Sequence, residues 1–254
     1  MACGETSAVA SLLTRDHGFV KVLAKGVRGA RSSLRPLVEP GRLINAEFGL
    51  DPGRELQFLR GGSVLLDPLA GRPTLERSAY LLGALELVDR CRPTAEGPGD
   101  EGEEHLFGVC QDFLGVLSSP TCRGPAVLFF ALEWRLLERH GTAPEVEACS
   151  DCGGDADDPA AGPPWFQAAE GGLVCGRCAA GGTAAGARPL ARDTLALLRS
   201  LREGSLAAAG DAEPDPGVRR DAGVLLHRFL GYHLPGYRLP AALELLRAGK
   251  DRTG

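Results

Sequence analysis

The first seventy residues alternate apolar and polar positions with the period of a β-strand, whereas most of the remainder repeats with the period of a helix. Phe19-Val20-Lys21-Val22-Leu23-Ala24 sets Lys21 between apolar neighbours after the turn-forming His17-Gly18. Leu43 to Phe48 alternates Ile44, Ala46 and Phe48 against Asn45 and Glu47, and Glu55 to Arg60 places Leu56 and Phe58 on one side. Ser7 to Thr14 supplies another strand, and Gly61-Gly62 reads as a bulge or as a turn before Ser63 to Leu66. Short strands separated by Gly/Pro turns predict a small barrel.

Near Thr74 the period changes. Thr74 is placed as the N-cap of a helix carrying Tyr80, Leu81, Leu85 and Val88 on one stripe, and after an acidic, Gly-rich loop the pattern returns with Leu106, Cys110, Phe113 and Leu117. Pro125 and Gly141 bracket "AVLFFALEWRLLERH", which is apolar almost all round and predicts a central buried helix. Further helices are expected around Asp193 to Glu203, Val218 to Leu230 and Ala241 to Arg247. The fold class is therefore α+β, a strand-rich domain over 1–74 followed by a helical domain over 75–254.

The helical pattern is interrupted once, and the interruption carries chemistry. Cys149-Ser-Asp-Cys152 and Cys175-Gly-Arg-Cys178 are two Cys-x-x-Cys pairs. Each pair forms a tight turn whose thiolates converge, and four thiolates complete a tetrahedron around zinc with no open position, so one structural zinc per chain is expected in a knuckle over 146–182. Two redox dithiols or a disulfide-linked loop are the alternatives. Cys3, Cys91, Cys110 and Cys122 lack such spacing and read as ordinary thiols.

Composition narrows the setting. With 44% hydrophobic and 24% charged residues, the 254-residue chain resembles an ordinary globular protein. It has no apolar run of the ~20 residues a bilayer requires and no signal-peptide pattern at its start, so the expected location is the cytoplasm without membrane association. No nucleotide-binding P-loop, zinc-protease or nucleophile-elbow motif occurs. Gly97-x-Gly99-x-x-Gly102 follows a helix in acidic surroundings and is rejected as a dinucleotide site. The five histidines show no ligand or triad spacing, and Glu103-Glu104 and Asp157-Asp158 read as solvated loops. The expectation is a protein that is not an enzyme.

Charge is unevenly placed. Residues 15–42 hold seven basic and two acidic side chains, net +5, within a chain of formal net charge -5. "LAKGVRGARSSLRP" contributes Lys25, Arg28, Arg31 and Arg35 with no acidic residue among them. Such a run reads either as a solvated loop or as the footprint of a polyanion partner.

The basic run and the two cysteine pairs occur in an order that is specific. "GETSAVASLLTRDHG" followed by "LAKGVRGARSSLRP", then "EWRLLERHGTAPEVEACSDCG" leading to "GGLVCGRCA", and finally "PLARDTLALLRSL", resemble the bacterial RecO family over nearly the whole chain. The resemblance implies an oligonucleotide-binding (OB-fold) β-barrel joined to an α-helical domain with the zinc knuckle inserted. A further strand precedes the "GETS" match in the family, so the expectation is either a barrel that lacks its first strand or a true N-terminus upstream of Met1.

The activity implied is that of a DNA-binding recombination mediator in DNA repair. It binds and anneals single-stranded and double-stranded DNA and, with RecR, helps load RecA onto DNA coated by single-stranded-DNA-binding protein, in association with the nucleoid. On this reading Lys21, Lys25, Arg28, Arg31, Arg35 and Arg42 contact phosphates, without base readout. The runner-up function is a zinc-stabilised protein-interaction scaffold whose basic loop docks an acidic partner tail. Phe19, Phe48 and Phe58 serve equally as core or as stacking residues.

Overall fold

Thr74 does act as a helix N-cap, its hydroxyl accepting from the Arg77 N–H at 3.1 Å, and the chain passes there from strands to helices. The computed structural model describes residues 6–92, 101–182 and 184–251; positions 1–3 and 97–100, which include Cys3 and the start of the rejected glycine motif, lie outside them. The chain divides into two compact units, Met1–Pro120 and Thr121–Gly254. The division by packing thus lies beyond the change of element type at 74.

Four strands open the first unit: β1 (Ala8–Thr14), β2 (Gly18–Ala24), β3 (Leu43–Gly49) and β4 (Leu56–Leu66). Their order in the sheet is β1-β2-β4-β3, with β2 and β4 parallel and the other neighbours antiparallel. β2 is central and its alternation is complete: Val20, Val22 and Ala24 are buried while Lys21 is exposed. With Val27, Leu37 and Leu59 they form the core. β1 and β3 are the two edges among the described residues. Their inward side chains, among them Ala10, Leu12, Ile44 and Phe48, are only partly buried against that core.

Of the two readings of Gly61-Gly62, the structure selects the bulge. β4 runs unbroken through both, and the register with β3 shifts beside them. At Gly62, with φ +147°, a Cβ would meet the Asn45 carbonyl oxygen at 2.1 Å, so the crossing needs glycine.

Two helices complete the unit. In α1 (Leu75–Arg90) the buried stripe is Arg77, Leu81, Ala84 and Val88, so Leu81 and Val88 face inward as expected while Tyr80 and Leu85 lie at its margin. The stripe is turned because Arg77 reaches inward to the Leu117 and Ser119 carbonyls. α2 (Glu101–Ser118) buries Leu106, Phe113 and Leu117, with Cys110 half-buried, and packs on β1, β2 and β4. Glu103 departs from the expectation of a solvated loop: it lies buried on α2 against the β1–β2 turn at Gly18, where no side chain occupies the space it fills.

The second unit is built around α3 (Pro125–Arg139), buried on nearly every face as its composition predicts. A small sheet follows, formed by β5 (Glu145–Cys149), β6 (Trp165–Gln167), β7 (Gly172–Val174) and β8 (Arg188–Pro189) in the order β5-β7-β6-β8. The short helix α4 (Gly176–Ala180) follows β7. The unit then closes with α5 (Arg192–Glu203), α6 (Leu206–Asp211), α7 (Pro216–His233) and α8 (Ala241–Asp251), with α5, α6 and α7 packed on α3. No helix among the described residues is long and apolar enough to cross a membrane.

Candidate nucleic-acid interface and metal centre

The basic run forms a loop between β2 and β3 whose conformation is set by its apolar residues. Val27 and Leu37 are buried in the sheet's core, and Leu34 and Val38 pack against it. Between these anchors the backbone turns repeatedly: Gly26 takes φ +67°, Gly29 N–H donates to the Gly26 carbonyl at 3.0 Å, and Ser32 N–H donates to that of Gly29 at 3.1 Å. A single 3₁₀ turn over Arg35–Val38 ends the run. Because the anchors alternate with the cations, burying one set exposes the other. Lys25, Arg28, Arg31 and Arg35 are all exposed.

The six cations expected to contact phosphate differ in what holds them. Lys25 lies 4.5 Å from the ring centroid of Phe58, a cation–π contact. Arg28 is fixed through its backbone, its N–H donating to the Thr6 carbonyl at 3.0 Å. Arg31 and Arg35 have no acidic partner among the described residues. Lys21 stands apart on the exposed face of β2, paired with Glu55 just before β4, and the ammonium holds that carboxyl below its usual range.

Arg42 is the most constrained of the six. It bonds Glu39 and Asp67, each at 2.7 Å, and donates to the Pro36 carbonyl at 3.0 Å. Two carboxylates offset its charge, and the guanidinium ties the end of the loop to the end of β4. Arg60, absent from the expected set, follows Leu56 and Phe58 along one face of β4, stands exposed, and shares that sheet face with Lys21. The strand period alone could have identified it.

The four paired cysteines meet at one point. Cys149 ends β5, Cys152 sits in the following turn, Cys175 follows β7, and Cys178 lies in α4. Parallel pairing of β5 with β7 brings the first and second pairs together. All four Sγ atoms lie within 4.8 Å of one another, and Cys152 and Cys175 are 3.9 Å apart. Zn–S bonds of about 2.3 Å in a tetrahedron place sulfurs about 3.8 Å apart, so this donor set is compatible with zinc.

Local geometry supports both turns. Gly153 N–H donates to the Cys149 carbonyl at 2.8 Å, and Cys175 N–H donates to the Cys149 Sγ at 3.3 Å. Burial opposes ionisation of Cys149, yet the N–H groups of Cys175, Cys152 and Asp151 outweigh it and draw the thiol down to about 6. At Gly176 a Cβ would meet the Ala161 carbonyl oxygen at 2.0 Å, so only glycine allows the second turn to pack there. By contrast, burial pushes the Cys110 thiol up to about 12, with Cys91 adding to the effect, as befits an unreactive thiol.

Asp157 and Asp158 correct the expectation of a solvated loop. Asp157 pairs with Arg192 at 2.5 Å and Arg199 at 3.4 Å, binding the knuckle to α5. Asp158 caps a 3₁₀ turn and pairs with Arg177 at 3.2 Å. A cleft of about 400 Å³ beside the knuckle is lined by Glu147, Asp155, Asp157 and Arg199 among others. This side of the second unit presents carboxylates, in contrast with the loop.

Family comparisons match this organisation. The model of the Recombination protein O N-terminal domain matches residues 1–66, and that of the Recombination protein O C-terminal domain matches residues 72–242. A DNA repair protein RecO from Anaeromyxobacter dehalogenans is 37% identical over 94% of this chain and 89% of its own length. Those from Pelotomaculum thermopropionicum and Myxococcus xanthus are 33% and 30% identical, covering 91% and 98% of this chain and 84% and 93% of their own lengths. With two domain models matched in order and relatives aligned along almost all of its length, the chain belongs to the RecO family of DNA repair proteins.

Proposed function

We propose that this protein is a non-enzymatic mediator of recombination-linked repair that binds single-stranded and duplex DNA through the loop between β2 and β3. In this reading it anneals complementary strands and, together with RecR, helps RecA onto strands coated by single-stranded-DNA-binding protein. The sheet of the first unit serves as an OB-type platform, and the four thiolates hold one structural zinc that organises the second unit's small sheet. With all four positions taken by protein, that ion has no place for a substrate.

One observation carries the proposal. Apolar anchors at Val27 and Leu37 hold a loop whose four cations point to solvent, so the charge is ordered before DNA arrives. Side chains arranged in this way neutralise a phosphate backbone without reading bases. The test is a salt series of binding to single-stranded and duplex oligonucleotides, with strand annealing measured alongside. The expected result is binding insensitive to sequence, with the logarithm of affinity falling linearly against the logarithm of salt. Absence of any DNA complex at low salt would overturn the reading and leave a protein-docking loop.

A further inference from the structure

A pocket in the second unit is explained by neither the loop nor the knuckle. It lies beside the first turn of α5, encloses about 180 Å³, and has an apolar floor that includes Phe166, Leu190 and Leu225. Thr194 lines it and is only 1% exposed, yet its hydroxyl has no hydrogen-bond partner. A buried hydroxyl left unpaired is destabilising, and native folds retain few of them.

The surroundings of that hydroxyl are rich in donors, set against the carboxylates of Asp221 in the lining and Asp193 in the first turn of α5. Ala191, the N-cap of α5, has no side chain able to cap the helix, so the cap offers the first-turn N–H groups no side-chain acceptor. Arg188 and Arg228 also line the pocket, and neither has an acidic partner among the described residues. The one carboxylate in the lining, Asp221, lies 3.6 Å from Arg220. A helix N-terminus, a hydroxyl donor and two guanidiniums together call for an anion with several acceptor oxygens.

We propose that this pocket binds a phosphate monoester. Such a group carries nearly two negative charges at neutral pH and offers three acceptor oxygens, matching two arginines and the Thr194 hydroxyl. The volume admits one phosphoryl group and part of the sugar attached to it, with the apolar floor beneath the sugar. Two sources share this chemistry, a free nucleotide and the 5′-phosphorylated end of a nucleic-acid strand. The site is independent of the loop between β2 and β3, and its existence does not require that loop to bind DNA.

The test uses the full chain, isotope-labelled, titrated with inorganic phosphate and with a nucleoside 5′-monophosphate. Saturable shifts of the Thr194 and Leu195 amide signals are expected. Thr194→Val keeps the shape and removes the orphaned hydroxyl, so it should melt at a higher temperature while binding the nucleotide about tenfold more weakly. These opposite signs separate a ligand-binding hydroxyl from a merely structural one. Arg188→Ala and Arg228→Ala should each weaken binding at least as much, without the gain in melting temperature.

A 5′-phosphorylated oligonucleotide that shifts the same signals while its 5′-hydroxyl counterpart does not would identify a strand end as the source. Equal behaviour of the two oligonucleotides, with the nucleotide still binding, would identify the free nucleotide. No saturable shift with millimolar phosphate, unchanged nucleotide affinity in Thr194→Val, or equal competition by a glutamate-rich peptide would overturn the assignment.

Discussion

The loop between β2 and β3 and the cysteine knuckle are both irregular segments stabilised by a few contacts, and they achieve order by different means. The loop is anchored by Val27 and Leu37 in an apolar core and leaves its cations outside. The knuckle converges four sulfurs beside buried apolar side chains such as Val146, Leu173 and Val174, while Asp157 fastens it to Arg192 and Asp158 pairs with Arg177 within it. From Cys149 to Cys178 it carries five acidic residues against Arg177 alone. The electrostatics are therefore opposite in sign, which is why the proposed DNA affinity falls to the first segment and the proposed architectural role to the second.

The largest expected effect comes from the proposed zinc. If zinc organises the small sheet, removing it with a strong chelator, or introducing Cys149→Ser, should lower the melting temperature and expose the second unit to proteolysis, because metal binding and local folding are one equilibrium. Elemental analysis should find about one zinc per chain. DNA affinity of the metal-free protein, measured below its melting transition, should stay within a few-fold of the native value. A large loss of affinity with the first unit still folded would break the division of labour.

Next in size is the joint replacement of Lys25, Arg28, Arg31 and Arg35 by Ala. Each phosphate contact contributes about 0.7 to 0.9 to the salt slope, so the slope should fall by about three and binding should weaken for all sequences alike. Stability should barely change, since exposed cations contribute little. Leu37→Ala sharpens the same point from the other side. It removes a buried anchor at a cost of about 2–5 kcal/mol and should weaken DNA binding although every charge remains. If the quadruple variant keeps both its affinity and its slope, the loop is only a solvated surface.

How much of this was legible in the sequence depended on how local the cause was. Strand alternation in β2, the Thr74 cap, the all-apolar α3 and the cysteine spacing are short-range signals, and the structure reproduces them. The small sheet around the knuckle was not read, because β6 and β7 have three residues each and β8 two, too short for a period to show. Glu103, Asp157 and Asp158 were misread because their burial or pairing depends on chain brought from elsewhere. Arg42 was counted with the other cations because nothing in its immediate neighbours predicts that Asp67, distant in sequence, will pair with it.

A smaller effect tests the interior of the second unit. Burial holds Glu133 of α3 well above the usual carboxylate range, with Arg247 opposing the shift. A carboxyl whose pKa is raised in the folded state contributes stability that is fully present below its ordinary value of 4.5 and is lost as pH rises through the folded value. Glu133→Gln should therefore stabilise the protein near neutral pH, with the gain fading as pH falls toward 4.5. The metal centre should respond in the opposite sense, since protonating thiolates releases zinc as pH falls. Denaturant melts of both proteins across this range would separate the two contributions.

The smallest effect is the most discriminating, because it compares two arginines inside the positive segment. Arg31 is exposed in the loop, whereas Arg42 is held by Glu39 and Asp67 and by the Pro36 carbonyl. If phosphate contact requires a cation free to release its counterions, Arg31→Ala should lower the salt slope by about 0.7 to 0.9 and leave the melting temperature unchanged. Arg42→Ala should leave the slope nearly as it was, because two carboxylates already neutralise that guanidinium. It should instead lower the melting temperature, since Asp67 and Glu39 lose a shared partner and the loop loses its tie to β4. The measurement is a pair of salt titrations on the same oligonucleotide with thermal melts alongside. An equal drop in slope for both variants would show that Arg42 leaves its carboxylates to meet DNA, and the loop would then have to reorganise on binding rather than present its charge ready-made.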